Sequence, residues 1–183
     1  MRVLGISGSL RRDSYNSGLL RAAAELLPSG VELEVFDGLK EIPPYDADDD
    51  VAPGPAPVEA LREAIAGADA VLVATPEYNA SIPGVLKNAL DWASRPHATN
   101  PLRGKPAAVV GASTGLFGAV WSQAETRKVL AAIGADVVDR ELPVMQAHMQ
   151  FDEYGNLHEE DLRDQLAEHV TALVRATREK VAA

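Results

Sequence analysis

Five times along the chain a short run rich in Val, Leu, Ile and Ala leads into a stretch with helical spacing, and this alternation limits the fold more than any other feature. The runs lie at 2–7, 31–36, 69–75 and 105–112, with a weaker fifth at 136–142. Residues 70–74, Ala-Val-Leu-Val-Ala, are apolar without interruption, the pattern of a strand covered on both faces. Helical patterns occupy about 15–27, 57–67, 83–94, 119–133 and 159–180. Pro28 and Gly30 close the first of these and Gly134 the fourth. Strands and helices that alternate in this way build a parallel sheet with right-handed crossovers.

Five strands and five helices fit an α/β three-layer sandwich around a five-stranded parallel sheet of flavodoxin-like order, 2-1-3-4-5. In that order the first, third and fourth strands are neighbours. Each of the three is followed by a polar, glycine-bearing loop: Gly8-Ser9-Leu10-Arg11 with Ser14-Tyr15-Asn16, then Thr75-Pro76-Glu77-Tyr78-Asn79, then Ser113-Thr114-Gly115-Leu116-Phe117-Gly118. Ligands of doubly wound sheets sit outside the carboxyl ends of the strands, where the winding reverses. Three such loops at adjacent strand ends predict one shared pocket.

A chain of 183 residues, 46% hydrophobic, buries one full core, and residues 1–183 are expected to form one domain. The net charge of −10 argues against nucleic acid or an anionic membrane as the main partner. There are no cysteines, which removes disulfides and thiolate chemistry. No apolar stretch approaches the roughly 20 residues of a membrane span. The N-terminus runs directly into a strand without the plan of a signal peptide, so a cytoplasmic location is expected. The one long irregular link, 38–56, holds four prolines and the acidic residues Asp46 and Asp48 to Asp50. It lacks the spacing of a calcium loop and reads as a solvated segment. His97, His148, His158 and His169 show no metal-binding register and are expected at the surface or in packing.

The first loop has the composition of a phosphate site. A helix start offers free N–H groups and about half a positive charge. Ser9 and Ser14 bring hydroxyls, Arg11 can pair with two oxygens, Asn16 stands at the first helical turn, and Gly8 leaves the backbone open to a ligand. Ser14 and Asn16 are also common helix caps, but capping explains neither Arg11 nor the second serine. The loop is neither Gly-x-Gly-x-x-Gly nor the nucleoside-triphosphate loop ending in Gly-Lys-Ser/Thr. In the second loop Tyr78 offers a flat surface and Asn79 an amide. In the third, Gly115 and Gly118 leave room for a planar ring against backbone.

These loops, together with Pro83-Gly84 and Leu86-Lys87-Asn88-Ala89-Leu90-Asp91-Trp92, resemble the NADPH-dependent FMN reductase family, which includes quinone, azo-dye and chromate reductases. The similarity runs down to Phe151-Asp152-Glu153 and Gly155 ahead of the last helix. It implies FMN as a bound group, with its phosphate on Ser9, Arg11, Ser14, Tyr15 and Asn16. The ring is implied against Pro76, Glu77, Tyr78 and Asn79 on one side and Ser113, Thr114 and Gly115 on the other. NADPH or NADH is implied as hydride donor, and a quinone, a similar small acceptor or free flavin as acceptor. No side chain is assigned as acid or base. Glu77 beside a negatively charged reduced flavin would oppose reduction, which favours a hydrogen-bonding or subunit-contact role for it. One departure stands out: many members carry Gly-Gly where this chain has Gly118-Ala119.

Two alternatives differ in chemistry. Gly111-Ala112-Ser113-Thr114-Gly115 fits the Gly-x-Ser-x-Gly of hydrolases, with Asp136, Asp139, His148 and His158 downstream, but no oxyanion motif accompanies it and no helix begins directly after the serine. A flavodoxin-type electron carrier would share the fold and the acidic charge, yet only Tyr78 is an obvious aromatic to enclose the ring. Helix 83–94 carries Val85, Leu86, Ala89, Leu90, Trp92 and Ala93, more apolar surface than one flank of a sheet requires. With the resemblance, that predicts a homodimer or homotetramer.

Overall fold

A strand covered on both faces needs a strand at each side and a helix layer above and below, and the computed structural model, which describes residues 1–182, supplies both. Four strands lie where the apolar runs place them: β1 (Arg2–Ser7), β2 (Glu32–Phe36), β3 (Ala70–Thr75) and β4 (Pro106–Ala112). With β5 (Asp136–Val137) they form an all-parallel sheet in the order β2-β1-β3-β4-β5, the order expected. Side chains alternate across it. Leu4, Ile6, Val71, Val73, Ala107 and Val109 face a layer made by α2 (Ala56–Gly67), α3 (Gly84–Ala93) and α4 (Val120–Ile133). Val3, Leu72, Ala74, Ala108 and Val110 face α1 (Tyr15–Leu26) and α5 (Glu160–Ala182). Gly134 ends α4 in the left-handed conformation, φ 103°, as its position predicts.

The fifth strand differs from the expected single run over 136–142. Two two-residue strands take its place: β5 beside Pro106 and Ala107, and β6 (Pro143–Val144) beside Gly111 and Ala112. The cause is local chemistry. Asp139, Arg140 and Glu141 turn to solvent, where Glu141 pairs with Arg127 and Arg140 with Glu168. The Leu142 N–H donates to Gln123 Oε1 at 3.1 Å, and Pro143 has no N–H to offer. The ladder is therefore broken between the two pieces.

Helix α3 uses its apolar surplus inside the chain. Trp92 is fully buried; its indole N–H donates to the Pro43 carbonyl at 2.9 Å, and its ring meets Tyr45 edge-on at 4.9 Å. Asn88 donates to the same carbonyl at 2.8 Å and accepts from the Tyr45 N–H at 2.8 Å. The helix thus clamps the irregular link to the core. The link itself carries two 3-10 turns, Gly38–Glu41 and Ala47–Asp49. Asp46 caps the second turn, accepting from the Asp48 N–H at 3.0 Å, and Asp50 pairs with Arg62 at 3.0 Å.

His169 on α5 is 1% exposed, and its Nε2 meets no partner among the described residues. Burial, and then the charges of Arg140 and Arg127, push its pKa down to about 4, against an opposing hydrogen bond with the Val109 backbone. The unfolded chain binds the proton at about 6.5, so it takes up more protons than the fold between these values. The stabilisation is fully present above pH 6.5 and is lost as the pH falls toward 4. This group alone is expected to remove roughly 2 kcal/mol between pH 7 and pH 5. Urea unfolding at the two pH values, compared with a His169→Gln variant, measures it. An equal pH dependence in both proteins would contradict the assignment.

Candidate active site

The carboxyl ends of β1, β3 and β4 surround a cavity of about 310 Å³. Ser9, Arg11, Ser14, Tyr15 and Asn16 line it from the first loop, Pro76, Glu77 and Tyr78 from the second, and Ser113 and Thr114 from the third. All of these carry the sequence prediction. Asn79 and Gly115, predicted with them, stand outside the lining, and Ala112, not predicted, belongs to it. As the last residue of a buried strand, Ala112 carried no polar signal.

The first loop is built for support as well as display. Ser14 caps α1, its Oγ accepting from the Asn16 N–H at 3.2 Å. The Asn16 side chain is buried and grips the end of β4: Nδ2 donates to the Ala112 carbonyl at 3.1 Å and Oδ1 accepts from the Ala112 N–H at 3.0 Å. This amide joins two of the three loops. Gly8 is required by packing, because a Cβ there would meet Leu86 at 3.0 Å and Pro76 at 3.2 Å, so its role is not to open the backbone to a ligand. Arg11 is exposed, and its guanidinium lies over the Tyr15 ring at 5.0 Å; Tyr15 in turn rests on Phe151 at 5.2 Å. No carboxylate pairs with Arg11 among the described residues, so its hydrogen-bonding edge is free for a ligand anion.

The second loop is a tight hairpin. Tyr78 and Ser81 exchange N–H to carbonyl bonds at 3.2 Å, and Asn79 and Ala80 between them hold φ of 53° and 59°. Turns of this kind favour Asn-Gly, so Ala80 holds a left-handed conformation without glycine's freedom. Two carboxylates fasten the loop to α4. Glu77 Oε2 accepts from the Trp121 and Ser122 N–H groups at 3.0 and 3.1 Å. Glu125 accepts from Ser81 Oγ at 2.6 Å and from the Ile82 N–H at 3.1 Å, and these bonds, the serine's first, hold its pKa below the usual carboxylate value. Glu77 therefore supplies the cap that Ala119, at the N-cap position with φ 60°, cannot make. Its charge is directed at the positive end of a helix.

The third loop is tied to β6 and to the segment after it. The Ser113 N–H donates to the Val144 carbonyl at 3.1 Å, and its own carbonyl accepts from the Ala147 N–H at 2.9 Å. Ser113 Oγ accepts from the Gly115 N–H at 3.1 Å. No imidazole hydrogen-bonds this hydroxyl among the described residues, so the arrangement is not that of an activated nucleophile. The pocket offers hydroxyls and a guanidinium at one end and flat, backbone-rich walls at the other. This fits FMN: a phosphate at the start of α1 and a ring between the second and third loops.

The sequence pattern of the family described as NADPH-dependent FMN reductase matches residues 1–149. The chain is 44% identical over 174 residues to an NAD(P)H-dependent FMN reductase of Pseudomonas aeruginosa, covering 94% of this chain and 93% of the relative. It is 40% identical over 167 residues to a 2-hydroxy-1,4-benzoquinone reductase of a Burkholderia species, covering 91% and 90%. Among solved structures, the flavoenzyme NAD(P)H:acceptor oxidoreductase FerB of Paracoccus denitrificans superposes with a TM-score of 0.87 at 35% identity, over 97% of each chain.

Proposed function

The chain belongs to the NADPH-dependent FMN reductase family, and from that premise we propose that it is an NAD(P)H-dependent FMN oxidoreductase whose acceptors are quinones or related small rings. One observation carries the reading: the fold brings Ser9, Arg11 and Ser14, at the start of α1, onto the same cavity as Pro76 to Tyr78 and Ser113 to Thr114. Bound FMN supplies the hydride chemistry, between the reduced nicotinamide coenzyme and the acceptor.

The protein's own residues hold and orient. Arg11 and the hydroxyls of Ser9 and Ser14 take the phosphate, and Tyr15 keeps the guanidinium in place. Tyr78 and the backbone of Ser113 and Thr114 would hold the ring, with the two hydroxyls as hydrogen-bonding partners and Asn79 and Gly115 just outside the lining. Glu77 acts on the helix rather than on the ring: by capping α4 it fixes the separation of the two walls. Residues 1–183 form one functional unit in this reading, located in the cytoplasm, with a homodimer or homotetramer as its working form. No helix among the described residues is long and apolar enough to cross a membrane.

The purified protein is expected to show the visible spectrum of a flavin and to oxidise NADPH or NADH steadily when a quinone is the only other component. Light scattering on the same sample should give a mass of twice the chain or more. A flavin spectrum without turnover would make the chain an electron carrier. Absence of flavin, and failure to take it up, would overturn the reading.

A further inference from the structure

A second cavity, of about 600 Å³, adjoins the first along Arg11, Ser14 and Tyr15 and extends to Arg12, Arg21 and the 152–155 turn. It gathers three arginines in a chain that has 27 acidic residues against 17 basic ones. None of the guanidinium groups of Arg11, Arg12 and Arg21 pairs with a carboxylate among the described residues. Arg21 donates to the Gly155 carbonyl at 2.9 Å, and Arg11 lies over Tyr15. Arg12 is exposed and makes no hydrogen bond among the described residues.

Three carboxylates, Asp13, Asp152 and Glu153, also line the cavity and balance the three arginines in formal charge, but none of them pairs with a guanidinium among the described residues. The Asp152 carboxylate is occupied by its own turn, accepting from the Tyr154 N–H at 2.9 Å, the Asn156 N–H at 2.8 Å and Asn156 Nδ2 at 3.1 Å. Asp13 and Glu153 form no ion pair among the described residues either, so the hydrogen-bonding edges of Arg11 and Arg12 are left for a ligand. Tyr154, 78% exposed, adds a flat ring at the rim. A cavity of this size with unpaired guanidinium groups and an aromatic face suits a nucleotide that carries a phosphate.

We propose that this second cavity receives the adenosine end of the coenzyme, and that Arg12 binds the 2′-phosphate that separates NADPH from NADH. The proposal rests on the reading that the chain oxidises reduced nicotinamide coenzymes. A dinucleotide whose nicotinamide reaches the first cavity can pass Arg11, the wall common to both cavities, to place its other end in the second. Of the three arginines, Arg11 serves both cavities and Arg21 is held by a carbonyl; Arg12 belongs to the second alone and is free. NADH has a hydroxyl where NADPH has the phosphate, so the loss of this guanidinium acts on NADPH selectively.

Two measurements on the FMN-loaded protein test this. Arg12→Ala should lower kcat/KM for NADPH about 10- to 30-fold through KM, with NADH unchanged. Arg12→Lys should recover part of the loss. Calorimetry with 2′,5′-ADP and with 5′-AMP measures the cavity without turnover. The first should bind the wild-type protein at least tenfold more tightly than the second, and Arg12→Ala should erase that difference. Equal losses for NADPH and NADH, or no preference for 2′,5′-ADP in the wild type, would overturn the proposal. So would a weakened FMN affinity in Arg12→Ala, since the cavity would then belong to the flavin site. A wild type that binds 2′,5′-ADP through Arg12 but oxidises neither coenzyme would leave this site standing and remove the proposed reductase activity.

Discussion

Arg11→Ala is expected to weaken FMN binding about 30-fold and to leave riboflavin, which has no phosphate, nearly unaffected. A charge-assisted contact of this kind contributes about 1.5–3 kcal/mol, and a loss of 2 kcal/mol corresponds to that factor. The guanidinium already lies over Tyr15 at 5.0 Å, and Tyr15 on Phe151 at 5.2 Å, so little of the contact is lost to ordering a free side chain. Arg12→Ala should barely alter FMN binding, because that side chain lines only the neighbouring cavity. Titrating the apoprotein of the wild type and of each variant with each flavin, and following the quenching of flavin fluorescence, gives the six constants. If FMN and riboflavin weaken together in Arg11→Ala, the first loop is not a phosphate site.

The largest loss of stability is expected from Gly118→Ala. Gly118 has φ +57°, and a Cβ there would lie 2.6 Å from the Pro143 carbonyl carbon and 2.8 Å from the Val144 nitrogen. Both are backbone atoms, and β6 holds them against β4. A left-handed alanine costs roughly 1–2 kcal/mol and overpacking a further 1–3, so the variant should lose about 2–5 kcal/mol. Gly115→Ala, three positions earlier, is the control: a Cβ there would touch only Ser113 Oγ, at 3.4 Å, and stability should hold. Urea unfolding midpoints distinguish the two. Equal stability would mean that Pro143 and Val144 yield easily, and that the third loop is not the rigid wall described.

What the sequence made legible is what local chemistry writes. The uninterrupted apolar run at 70–74 announced a doubly covered strand, and the three polar loops announced the strand ends that meet at the cavity. The interactions that hold those loops together left no local mark. Asn16 reads as a capping residue, yet its amide grips Ala112, 96 positions away. Glu77 is the cap of a helix that begins at Val120, and no capping signature precedes that helix because Ala119 stands at its N-cap. The break in the fifth strand has the same kind of cause: the Gln123 side chain, from another element, takes the Leu142 N–H that a continuous ladder would need. Nothing near helix 83–94 in the sequence marks Pro43 and Tyr45 as partners of its buried side chains. Residues whose roles are settled by distant segments are read correctly only once the chain has folded.

The borders of the sheet have a consequence for how copies of this chain can meet. One border is β2, five residues long, with Glu32 and Glu34 exposed upon it. The other is made of two two-residue pieces separated by Asp139, Arg140 and Glu141 and ending at Pro143. Neither offers a long, neutral row of free N–H and carbonyl groups, the template on which foreign strands add. Merging the sheets of two copies is therefore disfavoured, and helix or loop surfaces are the better ground for an assembly. The same borders work against aggregation: at high concentration a growing β-stack would have to start from a short edge that carries two glutamates or from one that is broken.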